Sequence, residues 1–305
     1  MRIAPFHNAS PALQFVITLL FCLTGLLVFI LIGSIIVFAG YGIDGIQSIQ
    51  TPNLNDSGSL EIIKILQVCQ TIGLFIAPAI LLSFLFSDKP SQFLMMRGIT
   101  LTQTLYSVFA ILLAFPAINL LSSLNMLIDL PAWMDEMEKN AMEITNAFMN
   151  TRSFSGFTFN VFMIALLPAL GEELIFRGIL QRIFTDWTRS AVIGILISAV
   201  LFSFMHLQFQ GFIPRLALGV LFGFLFLWTR SIWIPITVHF CNNFLAIVGY
   251  TLMNRGLLPQ ETETIGGIGE MWPLGLVSLI AVLGIMWMIR IESLRSCHIK
   301  ESPLE

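Results

Sequence analysis

Charge is what this chain has least of. Only 11% of its 305 residues are Asp, Glu, Lys or Arg, against roughly 25% in soluble domains. The deficit runs along the whole length, and mean hydropathy is +0.87, so a soluble globular class is excluded. Opposite charges nearly cancel to a formal −3, which gives no electrostatic footing for nucleic acid or for a strongly acidic substrate. Cysteine is scarce too: Cys22, Cys69, Cys241 and Cys297 show no paired spacing. The first three lie in apolar runs, where a thiol packs as a small hydrophobe; neither a disulfide framework nor a zinc ribbon can be read from them.

Long apolar runs are what the chain has in abundance. A helix needs about 20 such residues to cross a hydrocarbon core of roughly 30 Å. Candidate spans lie near 13–40, 62–86, 103–128, 157–181, 190–207, 213–229, 232–253 and 271–290. The fold class expected is therefore all-α, a polytopic membrane bundle of about eight transmembrane helices, with seven as the alternative because the fifth and sixth runs are short. The first run, Leu13 to Gly40, exceeds the apolar core of about 7–15 residues in a signal peptide, so it is expected to stay as a span.

Basic residues set the expected orientation. With the N-terminus inside, Arg2, Lys89, Arg97, Arg182, Arg189, Arg230, Arg290, Arg295 and Lys300 fall on the cytoplasmic side. Lys64, Lys139, Arg152, Arg215 and Arg255 fall on the other. The excess predicts both termini in the cytoplasm; a bacterial inner membrane is the compartment expected. Between spans, residues 130–150 place Met134, Met137, Ala141, Ile144 and Phe148 on one helical face and acids on the other. That pattern predicts an amphipathic helix at the membrane interface, or a lid over a substrate entrance.

Against this background three charges stand out in "GEELIFRGIL", Gly171 to Leu180. An ion at the bilayer centre costs on the order of 2.5–3.5 kcal/mol on insertion scales, so such groups face the bundle interior and need partners. Glu173 and Arg177 are four apart and share a helix face. Glu172 projects about 100° away, so the arginine neutralises one carboxylate and leaves the other as a candidate proton acceptor. His206 follows Phe202 by four residues, and His239 precedes Asn243 by four, both in apolar runs; His7 and His298 lie outside the spans. Imidazole both donates and accepts a proton. Taken singly, a Glu–Arg pair is as readily a staple between helices, and a membrane histidine or asparagine an interhelical hydrogen bond. Distributed over three spans, the set is hard to explain as glue.

The ordered set Glu172-Glu173-Arg177, Phe202-His206 and His239-Asn243 resembles the CPBP family of intramembrane proteases, which includes the CAAX prenyl endopeptidases and the bacterial Abi proteins. The match covers roughly 157–250. It suggests a division into 1–156 (N-terminal spans and the amphipathic helix), 157–250 (catalytic helices) and 251–305 (last span and tail). Read as peptidase chemistry, Glu172 suits the general base and His206 the group that shares and orients the water. His239 and Asn243 suit the oxyanion donors, and Glu173 with Arg177 a structural pair; the resemblance implies the same allocation, with Phe202 supporting it. The substrate would be a membrane-associated peptide or protein met within the lipid bilayer. No cofactor is expected, with zinc held by Glu172, His206 and His239 as the alternative; HExxH is missing. A non-catalytic scaffold or bacteriocin-immunity protein on the same fold is a second reading, and a proton-coupled transporter a third, although no inverted repeat is visible. The closing "ESPLE" has no cysteine, so the chain is not expected to be a CAAX substrate itself.

Depth raises a difficulty for that allocation. Counted at about 1.5 Å per residue from ends near 182, 190 and 232, Glu172 lies roughly 15 Å deep, His239 roughly 10 Å and His206 roughly 24 Å. On those boundaries the three do not meet.

Overall fold

The computed structural model describes residues 4–151 and 153–301, with side chains as far as Leu294. Arg2, Arg152, Arg295, Cys297, His298 and Lys300, and with them part of the charge count and of the tail, lie outside those described side chains. Helices follow the apolar runs: α1 (Pro11–Gln50), α2 (Ser57–Phe86), α3 (Leu101–Asn125), α4 (Ala132–Met149), α5 (Phe154–Thr188), α6 (Ala191–Phe204), α7 (Phe212–Thr229), α8 (Trp233–Asn254) and α9 (Trp272–Glu301). There is no strand among the described residues. The chain is an all-α polytopic membrane bundle, and seven of its described helices are long and apolar enough to cross a membrane. The fifth expected span, 190–207, is the 14-residue α6; it is shorter than a full crossing, so the count falls to the lower alternative.

Helix starts are capped as the sequence dictates. Ser10, Asp56, Thr100, Ser153 and Ser190 each accept a first-turn N–H with their side chain. Two of the long helices contain a wide π-type turn just before a proline: Ile72–Ile76 ahead of Pro78 in α2, and Val161–Leu166 ahead of Pro168 in α5. A proline cannot donate to the carbonyl four residues back and its ring crowds it; opening the turn relieves the clash. In α3 a side chain does the same work. Ser278 of α9 donates to the Leu113 carbonyl and accepts the Ala117 N–H at 3.1 Å, bridging the ladder beside Pro116.

Hydrogen bonds between loops sort the helix ends onto two faces. On the first, Phe6 donates to Leu85, Ile232 to Met95 and Ser231 to Arg97. On the second, Asn125 joins Phe209 and Ile213, Asn119 joins Ile265, and Asn160 joins Phe148. Close approach of α7 to its neighbours rests on Gly219 and Gly223. A Cβ on Gly219 would come within 3.0 Å of Ala199, and one on Gly223 within 2.7 Å of Ile195. This small-xxx-small spacing lets membrane helices pack at backbone distance.

Candidate active site

The Glu172–Glu173 pair lies between two π-type turns of α5, Val161–Leu166 before it and Phe176–Leu180 after it. Gly171 presses this segment against α2, where a Cβ would meet Phe75 at 2.9 Å. Arg177 sits one turn on and donates to Glu173 Oε1 at 2.8 Å, as the four-residue spacing predicts. Both are enclosed, at 0% and 1% exposure. A second guanidinium N–H is donated to the Gly219 carbonyl at 3.1 Å, and the group lies over the Phe202 ring, 4.6 Å from its centroid. Gln181, one turn further, repeats the pattern by donating to the Gly223 carbonyl.

His239 ties the pair to α8. Its Nδ1 contacts the same Glu173 Oε1 at 2.8 Å, and its Nε2 stops 3.9 Å from Glu172 Oε2. Because that oxygen already accepts from Arg177, Nδ1 is the protonated nitrogen and Nε2 is directed at Glu172. Phe222 stacks on the imidazole at 5.1 Å and Phe202 meets it edge-on at 5.8 Å, fixing the ring. Glu173 therefore does more than pair with Arg177: it orients His239, as a carboxylate orients a histidine in many sites.

His206 follows the last turn of α6, with Nδ1 at 2.8 Å from the Phe202 carbonyl. A carbonyl only accepts, so Nδ1 carries the proton and Nε2 is left as an acceptor. The Phe202 ring packs edge-on to His206 at 5.1 Å and to Phe176 at 5.3 Å, so this phenylalanine buttresses both histidines and the arginine. Asn243 donates to the Ile164 carbonyl at 3.2 Å. Ile164 is four residues before Pro168, so its oxygen lacks the usual helical donor, and α8 supplies one.

Glu172, His206, His239 and Asn243 all line one cavity of about 560 Å³, together with Phe202. The depth difficulty disappears because α5 runs on to Thr188, where Arg189 turns left-handed, not to 182 as expected. The extra six residues put Glu172 roughly 24 Å from that end, level with His206 at roughly 22 Å. Arg182 gave the false exit. It folds back to donate to the Phe93 carbonyl and lies over the Phe93 ring. His239 lies at the same level, with its Nε2 3.9 Å from Glu172 Oε2.

Several cavity residues were not anticipated. Arg215, counted above only for its charge, lines the cavity and donates to the backbone and side-chain oxygens of Gln208. Phe222, Gln67 and Asn242 also reach it. The signal available for Phe222 was its place in "GVLFG", 219–223, a helix-contact pattern. Helix α4 covers the cavity with Ala141, Ile144 and Phe148, the face picked out by periodicity. One acid departs from the pattern: Glu138 is buried at 7% and accepts the Gln210 N–H at 3.2 Å. Glu172 Oε2 is buried without a hydrogen-bond partner. Among the described residues no group of three His, Cys, Asp or Glu side chains is arranged to hold a metal ion. His206 and His239 each bond through Nδ1, which is also how a histidine that serves a metal through Nε2 is held.

Comparison with known proteins agrees with the motifs. The family model described as type II CAAX prenyl endopeptidase Rce1-like matches residues 154–245. Relatives include the uncharacterized protein YpbD of Bacillus subtilis, 31% identical over 85 residues, 27% of this chain and 40% of that protein. YdiL of the same organism, whose name marks it as a candidate membrane peptidase, is 30% identical over 112 residues, 35% and 46% of the two chains. The membrane-embedded CAAX protease MroQ of Staphylococcus aureus is 27% identical over 109 residues, 34% and 43%. The chain thus spans less than half the length of each of these relatives. No solved structure matches it at a comparable level. It is an integral membrane protein whose residues 154–245, with the three motifs inside them, carry the type II CAAX prenyl endopeptidase Rce1-like pattern.

Proposed function

We propose that the chain is an intramembrane endopeptidase that hydrolyses a peptide bond of a membrane-associated substrate with a water activated by Glu172. The observation that carries this reading is the unpartnered Glu172 Oε2, 3.9 Å from His239 Nε2 in a cavity that His206 also lines. Glu172 takes a proton from water, the resulting hydroxide attacks the scissile carbonyl carbon, and the C–N bond then breaks as the same proton passes to the leaving amine. His206 Nε2, an acceptor in its tautomer, holds and orients the water. Asn243 keeps one N–H on Ile164 and turns its second to the developing oxyanion. His239 joins it from Nε2 only as imidazolium, since Nδ1–H is given to Glu173. Glu173 and Arg177 position that ring and neutralise each other. Each step is assigned to these side chains alone. The bundle works in a bacterial inner membrane with its first face towards the cytoplasm.

Purified protein is expected to cleave a subset of synthetic membrane-spanning peptides at defined bonds, with chelator present, and the Glu172→Gln protein to cleave none. Equal cleavage by both proteins refutes the proposal.

A further inference from the structure

The cavity lies between α5, α7 and α8, and its remaining wall is built from α4 and from the segment around His206 and Arg215. Both belong to the second face, through Glu138 with Gln210, Asn125 with Phe209, and Asn160 with Phe148. Among the described residues, none from the loops of the first face lines the cavity. On that face the loops are closed by Met95, Arg97 and Phe93 bonding to Ile232, Ser231 and Arg182, and the buried cluster of Phe86, Ile179, Ile183 and Phe226 lies beneath them.

The two faces differ in charge. Lys89, Arg97, Arg189 and Arg230 sit at helix ends of the first face, with Arg182 two turns before the end of α5 and Arg290 in the part of α9 beside Trp228; Asp88 and Asp186 are its acids. By the same count the second face carries Lys64, Lys139, Arg215 and Arg255, with Asp129, Asp135, Glu136, Glu143, Glu261, Glu263 and Glu270 among its acids. Lysines and arginines close to span ends mark the cytoplasmic side, and acids contribute little to that choice. The assignment therefore rests on the basic residues, most of which lie on the face away from the cavity.

We propose that the catalytic cavity opens on the non-cytoplasmic side of the membrane, under α4. The inference rests on the peptidase reading for the word catalytic and on geometry and charge for the sidedness. It fixes the class of substrate. The scissile bond must lie in the outer half of the bilayer or be carried there, as in an exported peptide or the outer juxtamembrane segment of a membrane protein. A lipidated C-terminus displayed in the cytoplasm would meet the face away from the cavity.

Single cysteines introduced into a full-length protein lacking Cys22, Cys69, Cys241 and Cys297 test the sidedness without any substrate. In intact bacterial spheroplasts a membrane-impermeant maleimide is expected to label Asn140→Cys, on the exposed side of α4. Ser91→Cys, exposed on the first face, should label only after lysis. Should the cysteine-free protein fail to accumulate, alkaline phosphatase inserted after Gly269 or after Lys89 of the unaltered chain reads the same property. That enzyme needs disulfides formed outside the cytoplasm, so activity is expected at Gly269 alone. Reversed labelling or reversed phosphatase activity, or labelling of both cysteines before lysis, overturns the proposal. A further arm links the side to turnover: Thr145→Cys, at the cavity wall, should lose at least tenfold in cleavage when the reagent is added outside. If no peptide is cleaved by any variant, the peptidase reading falls while the labelling still decides which way the cavity faces.

Discussion

His239 and Glu173 share a 2.8 Å hydrogen bond between α8 and α5, and that contact determines which ring nitrogen faces the cavity. Glu173→Gln removes the carboxylate that holds both this ring and Arg177. A buried charge left without its partner costs roughly 3–5 kcal/mol, so thermal stability in detergent is expected to drop by that order. Loss of packing alone would not change the imidazole tautomer. The ¹⁵N shifts of His239 are therefore the discriminating readout, expected to move from protonated Nδ1 towards a mixture.

Glu172→Gln keeps the size of the side chain, and the carboxylate it replaces has one oxygen already without a partner. Turnover is expected to vanish while the melting temperature stays near that of the unaltered protein. Near-normal turnover in the purified variant would end the assignment of Glu172 as base.

Asn243→Ala removes an oxyanion donor, which costs about 10²–10³ in turnover, with KM largely kept. It also frees the Ile164 carbonyl beside Pro168, so amide exchange in α5 around 161–169 should rise. Combining it with His239→Ala is expected to give less than the product of the two losses if both serve one oxygen; a full multiplicative loss shows independent action.

Metal analysis separates two chemistries. Active, detergent-purified protein is expected to hold far less than one zinc per chain and to keep its activity in chelator. Stoichiometric zinc, lost in His206→Ala together with activity, and restored activity on adding zinc to chelated unaltered protein, would establish a metallopeptidase instead.

Helix α4 is held over the cavity partly by Glu138, which accepts the Gln210 N–H. Glu138→Ala leaves that donor unpaired, at a local cost of about 1–3 kcal/mol. The segment 206–211 should then exchange faster and KM should rise, whereas Glu138→Gln, which keeps an acceptor oxygen, should show a smaller effect.

Much of the bundle was legible because hydropathy is a direct record of the solvent each segment meets. Spans 62–86, 103–128 and 232–253 correspond to helices whose ends differ by five residues or fewer. The i to i+4 spacing placed Arg177 on Glu173 for the same reason: helix geometry is local. What failed was tertiary. Arg182 and Asp186 look like an exit from the membrane, yet Arg182 is half enclosed by Phe93 and the helix continues. Arg215 looks like a loop charge, but it reaches the cavity because the turn at 205–211 returns beneath α4. Nor does spacing reveal that His239 prefers Glu173 as its neighbour; that depends on how α8 is rotated against α5.

The brevity of α6 has a consequence for the lipid around the molecule. Fourteen residues rise roughly 21 Å, about 9 Å less than an average hydrocarbon core. The bend after Phe204 is left at acyl-chain depth, where irregular backbone survives only against protein or a wet cavity. A bilayer that thins beside α6 would match its length. Hydrophobic mismatch of this kind makes a protein sensitive to membrane thickness: vesicles of short-chain lipids relieve it, and long-chain or sterol-thickened ones press on the segment that carries His206.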